Sequence, residues 1–253
     1  MSTDAQVYVY AVVRGARRES IGGTGVGTSP APVRVVEGDD LAVVVSDVPA
    51  SWQTARRQDV EAHDRILSDL LAQHTVVPMR FGVVMRSDDD VRERLLEQHA
   101  PALSGLLDQL AGRVQMSMKA YYADEALLLE VLARHPELKR RSDALERQSL
   151  AASHPERIAL GRDVAAAVEE QRARDERALT EPLADLAEDM RIDAPVSERQ
   201  AAVVQLLVEE KQRPRLDAAV EQLARAQRRR FVLRYVGPLP PYSFTDLALE
   251  AVG

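Results

Sequence analysis

The amino-acid sequence predicts an α+β fold of two domains, a ferredoxin-like N-terminal domain and a helix-rich C-terminal domain. The first 122 residues alternate between β-branched segments and amphipathic helices, which is typical of a mixed sheet covered by helices. From residue 123 onwards the pattern becomes charged and mainly helical. The aromatic residues (three Phe, six Tyr and one Trp) follow this division, because none lies within residues 123–230. We therefore predict domains over residues 1–122 and 123–253.

The first elements can be placed from residue type and spacing. Residues 7–13 are apolar on both faces and rich in β-branched side chains, which predicts a strand covered on both sides. Residues 33–36 and 41–45 flank a turn-forming Glu-Gly-Asp-Asp segment and predict a hairpin. Helical spacing of apolar residues predicts a helix over residues 55–74, and an apolar run predicts a strand over residues 76–84.

A long apolar stripe predicts the next helix. Ser87 or one of the three aspartates after it can cap the N-terminus of this helix, and Gly112 ends it. Alternating apolar residues then predict a strand over residues 113–122. The stripe follows helical spacing and consists of Val91, Leu95, Leu96, His99, Leu103, Leu106, Leu107 and Leu110.

The second half is predicted to be helical over residues 124–134, 136–152 and 155–190. Arg172 and Asp175 interrupt the apolar stripe of the longest helix, which favours a helical hairpin or an arm that faces a partner.

The last elements combine short strands with one helix. Residues 201–208 are apolar, and their short length leaves strand and helix both open. Residues 215–227 predict a helix and residues 231–236 a strand. The strand is expected to end before the Gly-Pro-Leu-Pro-Pro segment at residues 237–241, because proline cannot continue a central strand.

Composition excludes several classes of protein. Cysteine is absent, which rules out disulfides, thiolate metal sites and a cysteine nucleophile. No apolar run approaches the ~20 residues of a membrane helix, and residues 1–6 lack a signal-peptide pattern. The formal net charge of -7 disfavours nucleic-acid binding. We expect a cytoplasmic protein that binds neither nucleic acid nor a lipid membrane.

The glycine-rich residues 22–27 do not fit a phosphate-binding loop. Such a loop needs a lysine followed by serine or threonine after its last glycine, whereas Thr28, Ser29 and Pro30 follow here. We therefore expect a flexible surface loop.

No cofactor, metal or catalytic site is expected. The five histidines are never closer than eleven positions, whereas a zinc-binding helix needs two of them four positions apart. The abundant carboxylate pairs are interpreted as solvated helix faces. The basic residues 228–230 are interpreted as a helix C-terminus, where cations interact favourably with the helix dipole, rather than as a phosphate site.

Two segments have unusual composition. Residues 76–84 place a proline, an arginine, a phenylalanine and a glycine within an apolar run, where the Arg80 guanidinium would require a carboxylate or carbonyl partner. Residues 237–244 contain three prolines and two hydrophobic anchors, Tyr242 and Phe244. This C-terminal tail can pack on its own domain or on another protein.

Both segments resemble motifs of the gas vesicle protein family GvpL/GvpF. The family motif Pro-x-Arg-Phe-Gly is matched by residues 78–82. The family motif Gly-Pro-Trp-Pro-Pro-Tyr-Ser-Phe is matched by residues 237–244, with Leu239 in place of Trp. The opening Tyr-Val-Tyr-Ala-Val-Val at residues 8–13 is similar to the first strand of the family. The resemblance spans almost the whole chain and does not separate the F and L subtypes.

The resemblance implies a modified ferredoxin-like N-terminal domain, a helix-rich C-terminal α+β domain and no enzymatic activity. It further implies an accessory or minor structural protein of gas vesicle formation, cytoplasmic and associated with gas vesicles. The implied partners are the hydrophobic shell protein and other gas vesicle accessory proteins, bound during nucleation or assembly.

A chaperone-like mechanism is a hypothesis that fits this role. A shell subunit that exposes apolar surface would aggregate before assembly, and the long helices or the proline-rich tail can supply contacts that hold it. The alternative is a ferredoxin-like domain that binds a small ligand or catalyses a reaction, with a pocket near Arg80 or near Tyr121 and Tyr122. Partner-binding residues are expected in the two motifs, at Pro78, Arg80, Phe81, Gly82, Pro240, Pro241, Tyr242 and Phe244.

Overall fold

The chain is organised around two β-sheets, as seen in a computed structural model that describes residues 5–15, 22–52, 56–147 and 154–245. The expected helix start at residue 55 and helix end at residue 152 lie outside these residues. The strands are β1 (Ala5–Arg14), β2 (Arg34–Glu37), β3 (Leu41–Pro49), β4 (Val76–Pro78), β5 (Val84–Met85), β6 (Arg113–Tyr122), β7 (Asp189–Asp193), β8 (Gln200–Glu209) and β9 (Phe231–Leu239). The helices are α1 (Arg57–Leu71), α2 (Asp88–Val91), α3 (Ala100–Leu110), α4 (Ala126–Arg134), α5 (Pro136–Glu146), α6 (His154–Ala184) and α7 (Arg213–Gln227).

The first sheet is built on β1. Its strand order is β2-β3-β1-β4, and β5 also pairs with β1. β1 is antiparallel to β3, β4 and β5, and β2 and β3 form the predicted antiparallel hairpin. The side chains of residues 7–13 are buried on both faces of β1, and α1 and α3 pack against this strand. The prediction of a strand covered on both sides is therefore confirmed.

The helix predicted from the long apolar stripe is interrupted. α2 continues into a π-helical turn at Arg92–Glu97, and α3 begins only at Ala100. Pro101 lies in the first turn of α3, where its missing N–H leaves no hydrogen bond unmade. Both predicted ends are confirmed, because the Ser87 hydroxyl accepts a hydrogen bond from the Asp90 N–H at 3.2 Å and Gly112 has a φ of +67°.

The second sheet has the strand order β7-β8-β6-β9. Residues 200–208 of β8 are buried on both faces, which settles the ambiguous apolar run as a strand. The prediction of a helix over residues 155–190 is wrong at its end, because α6 ends at Ala184 and residues 189 and 190 begin β7, a strand that the sequence did not predict. β9 extends beyond residue 236 to Leu239, and Pro238 is tolerated there because β9 is an edge strand.

The division of the chain differs from the expected boundary after Tyr122. β6 belongs to the second sheet, and the chain separates into one unit of Met1–Gln115 with Pro238–Gly253 and a second unit of Met116–Gly237. The tail was expected in the C-terminal domain but groups with the first unit, because the Tyr242 side chain packs on the core of that unit. The α+β class is confirmed, while the ferredoxin-like description of the first unit stays a prediction.

Asp175 lies in a buried polar network of the second unit rather than on an exposed helix face. The Tyr122 hydroxyl donates to its carboxylate at 3.1 Å and the Gln171 amide donates at 2.9 Å. Arg230 forms ion pairs with both Asp175 and Glu130. A carboxylate that is 2% exposed requires such partners. Asp175, which interrupts the apolar stripe of α6, is therefore a buried structural residue. Arg230, from the basic residues 228–230, is its ion-pair partner.

Part of the glycine-rich segment is also buried. Gly25 and Val26 are buried, and the Val26 N–H donates to the Tyr10 hydroxyl at 2.9 Å. The Gly27 N–H donates to the carboxylate of Asp59 at 2.8 Å. The expectation of a flexible surface loop is wrong for these residues, because their backbone donors bind side chains of β1 and α1.

We expect Gly25→Ala to destabilise the protein by about 1–3 kcal/mol, the usual cost of overpacking. A Cβ atom at Gly25 would approach the Tyr10 hydroxyl to 2.8 Å and the Ser46 side chain more closely still. It would therefore disrupt the Tyr10–Ser46 hydrogen bond of 2.8 Å. Urea denaturation measures the loss.

The matched control is Gly105→Ala. Apart from its chain neighbours and the backbone of its own helix, nothing lies within 4 Å of the added Cβ, and alanine is favoured over glycine within a helix by roughly 1 kcal/mol. A Gly25→Ala variant as stable as this control would contradict the packing described for the segment.

Candidate functional site

Three hydrogen-bonded side chains connect the first strand, the first helix and the C-terminal tail. The Tyr8 hydroxyl lies 3.0 Å from Nδ1 of His63, and the Tyr242 hydroxyl lies 2.9 Å from Nε2 of the same ring. A neutral imidazole has one N–H donor and one acceptor nitrogen. One phenol therefore donates to the ring and the other accepts from it, so that His63 joins the tail to β1.

Local structure brings these three residues together. His63 shares the buried face of α1 with Asp59, Ile66 and Leu70, at the spacing of a helical stripe. Tyr8 lies on the buried strand β1. Tyr242 begins a short 3-10 turn, Tyr242–Phe244, directly after two buried prolines. The prolines stop the preceding strand and direct the chain back towards α1.

Burial sets the protonation states of this hydrogen-bond chain. Desolvation lowers the pKa of His63, and the Asp64 carboxylate and a hydrogen bond to the Met79 backbone only partly offset it. Desolvation likewise raises the pKa of Tyr8 and the pKa of Tyr242 above the ordinary value of a phenol. All three groups are therefore neutral at pH 7, the state in which their hydrogen bonds are complementary.

Aromatic rings surround His63. We call Tyr8, Tyr10, Trp52, His63 and Phe81 the aromatic cluster. The ring centroids of Tyr8 and Tyr10 are 4.8 Å apart, those of Tyr8 and Trp52 are 5.2 Å apart, and those of His63 and Phe81 are 5.6 Å apart. Tilted and edge-to-face contacts of this kind contribute roughly 0.5–1.5 kcal/mol per pair beyond area burial. The cluster therefore gives the first unit a rigid interior at this point.

The Pro-x-Arg-Phe-Gly motif forms a turn at the edge of the first sheet. β4 and β5 both pair with β1, but residues 79–83 between them leave the sheet. The Met79 N–H donates to the Tyr10 carbonyl at 2.8 Å, and the Val9 N–H donates to the Val83 carbonyl at 3.0 Å, which closes both ends of the turn. The expectation of one continuous strand over residues 76–84 is therefore wrong at the motif itself.

A glycine allows this turn. Gly82 has a φ of +94°, a conformation that side chains with a Cβ rarely adopt. Its N–H donates to the Tyr8 hydroxyl at 3.0 Å, which attaches the turn to the hydrogen-bond chain of His63. Phe81 points its half-buried ring into the aromatic cluster. The Arg80 side chain is exposed and its guanidinium makes no hydrogen bond or ion pair with the described residues, so the expected partner is absent from them.

The tail is docked on its own unit. Ser243 exchanges two hydrogen bonds with the buried side chain of Gln115, at 3.1 Å through its N–H and at 3.2 Å through its hydroxyl. Phe244 is 6% exposed. Of the two possibilities left open by the sequence, packing on the tail's own protein is the one observed.

The two sequence motifs therefore meet at His63. The sequence reading did not single out this residue, although its place on the apolar stripe of α1 was a usable signal. The residues expected to bind partners differ in exposure. The four buried ones are Pro78, Pro240, Pro241 and Phe244. Phe81 and Tyr242 are half-buried, and Arg80 and Gly82 are exposed.

Tyr8, His63 and Tyr242 form a structural clip, by which we mean a hydrogen-bonded link between β1, α1 and the tail. Both nitrogens of His63 are already bonded to phenols, so the ring is not positioned as a general base towards a substrate. Within the described ranges, no group of three or more histidine and acidic side chains is placed to hold a metal ion. In the same residues, no helix is long and apolar enough to cross a membrane.

The fold and this clip define a two-unit α+β protein in which both sequence motifs converge on one buried histidine. A family model described as gas vesicle synthesis protein GvpL/GvpF matches residues 6–246. The chain belongs to the GvpL/GvpF family, which is not a known enzyme family.

Several known proteins are similar to this chain. Gas vesicle protein F of a Streptomyces species is 37% identical over 94% of this chain and 99% of the relative. Gas vesicle protein L of the same species is 36% identical over 48% of this chain and 49% of the relative. The crystal structure of GvpF from an Anabaena species has a TM-score of 0.86 at 23% identity, covering 96% of this chain and 99% of that one. GvpF from Microcystis aeruginosa has a TM-score of 0.80 at 22% identity with the same coverage. These likenesses confirm the α+β fold.

We expect Tyr242→Phe to destabilise the first unit by about 1–3 kcal/mol, because a ring nitrogen of His63 loses its partner in the interior. Urea denaturation measures the free energy of unfolding, and limited proteolysis reports release of the tail. Tyr121→Phe is the matched control, since its hydroxyl accepts, among the described residues, a weak hydrogen bond from the Gln200 amide at 3.4 Å. Equal losses in the two variants would contradict the role of the clip.

Acidification is expected to destabilise the protein through His63. The unfolded chain takes up a proton near pH 6.5, whereas the lowered pKa keeps the folded ring neutral. Stability is therefore greatest above about pH 6.5 and falls as the pH drops from there towards the folded pKa, by no more than about 1.4 kcal/mol at pH 5.5.

Urea denaturation of wild type and His63→Gln at pH 7.5 and 5.5 measures this effect. The exposed His154, replaced by Gln, is the control and should keep the pH dependence of wild type. If His63→Gln kept it as well, the assignment to His63 would be wrong.

Proposed function

We propose that the protein is an accessory protein of gas vesicle formation that binds the hydrophobic shell protein and other accessory proteins during nucleation or assembly. The observation that carries this proposal is the family match over residues 6–246. The relatives named gas vesicle protein F support it, because one of them aligns along 99% of its own length. The identity of the partners comes from the family resemblance of the two motifs.

The helices of the second unit offer a surface for an apolar partner. α4 is held in place by Val131, which packs in a small core with Leu138 of α5 and Ala167 of α6. Leu128 and Leu129 on the same helix remain 50% and 60% exposed. Adjacent exposed leucines on a helix that is fixed by its other face can receive an apolar helix of a partner.

A chaperone-like action is consistent with the charge of the chain. A shell subunit bound at α4 would have part of its apolar surface covered, and the net charge of -7 would keep such complexes apart. Cytoplasmic location, association with gas vesicles and the absence of nucleic-acid and lipid partners remain predictions. We assign the buried motif residues, including Pro78, Pro240 and Phe244, to positioning the fold rather than to direct contact.

Replacement of both leucines, Leu128→Gln with Leu129→Gln, is expected to reduce binding of the shell protein at least tenfold, because each exposed side chain contributes roughly 1–2 kcal/mol when covered. The shell protein is co-expressed with wild type or with the variant, and its soluble fraction and co-purification are measured. Thermal melts confirm that the variant folds.

Val196→Gln is the matched control, because Val196 is 89% exposed and lies outside the helices. Shell-protein solubility that does not depend on the presence of wild type would refute the chaperone-like action. Unchanged binding by the double variant would instead show that the shell protein contacts a surface other than α4.

A further inference from the structure

The turn that carries the first motif has an exposed surface at its tip. We call residues 79–83 the Arg80 turn, and we propose that it presents the exposed guanidinium of Arg80 to a carboxylate of a gas vesicle partner protein. This inference rests on the proposed function for the existence of such a partner, but it concerns a different surface from the leucines of α4.

The backbone of the Arg80 turn is held at four points. Its ends are bonded to β1 through the Tyr10 carbonyl and the Val9 N–H. Its interior is bonded through Gly82 to the Tyr8 hydroxyl, and a further hydrogen bond joins the Val83 N–H to the Arg80 carbonyl at 3.4 Å. A binding residue on such a turn loses less conformational freedom on association than one on a mobile loop.

The surface beside Arg80 is open. Gly82 is exposed, and no atom lies within 4 Å of the position that a Cβ would occupy there. Phe81 next to it keeps part of its ring accessible while the rest packs on Tyr8 and His63. A partner backbone can therefore approach Gly82 closely.

The Arg80 guanidinium has no partner in the part of the chain that the structure describes, in contrast to other arginines that form ion pairs within the fold. Arg34 pairs with Asp47 at 2.6 Å and with Asp88 at 2.7 Å. Arg14 pairs with Asp108 at 2.7 Å. The Arg80 guanidinium makes no such contact among the described residues, so a partner's carboxylate would not compete with an internal one.

The chemistry of arginine selects the ligand. A guanidinium presents a planar set of N–H donors that matches a carboxylate in a bidentate pair. The negative charge of the whole chain does not prevent this pairing, because charges beyond roughly 8 Å are largely screened at physiological salt. The carboxylate can come from an aspartate or glutamate side chain or from the C-terminus of the partner.

Arg80→Gln is expected to weaken the complex about tenfold to a hundredfold, which corresponds to the loss of one charge-assisted pair. The Kd is measured by titration with each purified gas vesicle shell or accessory protein that co-purifies with wild type. Arg80→Lys should recover part of the affinity. Raising the salt concentration should weaken partner binding by wild type more than partner binding by Arg80→Gln. Arg86→Gln, which replaces an exposed arginine directly after β5, is the control.

Carbodiimide coupling of the Arg80→Lys variant then locates the carboxylate. The reagent activates a carboxylate, a nearby lysine amine displaces the urea product, and an amide bond forms with net loss of water to the reagent. The chain has only three lysines, Lys119, Lys139 and Lys211, so the background is low. Mass spectrometry of the linked peptides distinguishes a side-chain carboxylate from a C-terminal one. Arg86→Lys is the matched control.

An amide between position 80 and a gas vesicle partner, together with the weaker binding of Arg80→Gln, is the expected result. Binding of Arg80→Gln within twofold of wild type would overturn the inference and leave the proposed function standing. Coupling only to a second copy of this chain would overturn it as well. If wild type co-purified with no gas vesicle protein, the proposed function itself would fail.

Discussion

The hydrogen-bond chain of Tyr8, His63 and Tyr242 is the contact on which the first unit depends. It joins residues that are 55 and 179 positions apart in sequence through a single imidazole ring. Because the ring is buried, both of its nitrogens need partners, and the partners come from the first strand and the last turn. The same Tyr8 hydroxyl accepts the Gly82 N–H. The position of the tail and that of the Arg80 turn therefore depend on one satisfied polar cluster within an aromatic interior.

A similar principle applies in the second unit, with different chemistry. Asp175 is buried with a phenol, an amide and a guanidinium as partners, and the guanidinium of Arg230 also reaches Glu130. Such networks are costly when any member is unpaired, and they favour one arrangement of the surrounding elements. In both units, residues that look polar or out of place in the sequence are those that define the interior contacts.

The division of roles within the motifs follows from these contacts. Most motif residues point inwards, where they fill space or form hydrogen bonds that orient the chain. Arg80 and Gly82 are left at the surface because the turn leaves the sheet between β4 and β5. A motif that is recognisable in the sequence can thus be mainly structural while it presents a small surface for binding.

The sequence by itself determined the elements whose signals are local: the apolar strand β1, the alternating strand β6, the β2–β3 hairpin, the Ser87 cap and the stop at Gly112. It also determined the family, because the two motifs are continuous stretches of chain. Only the tertiary structure decided that β6 joins the second sheet, that the tail returns to the first unit, that Gly25 is buried and that the Arg80 side chain is exposed. These outcomes depend on contacts between residues far apart in the chain, and the pattern of side chains along a segment does not specify which distant partner will satisfy a buried ring nitrogen or backbone N–H.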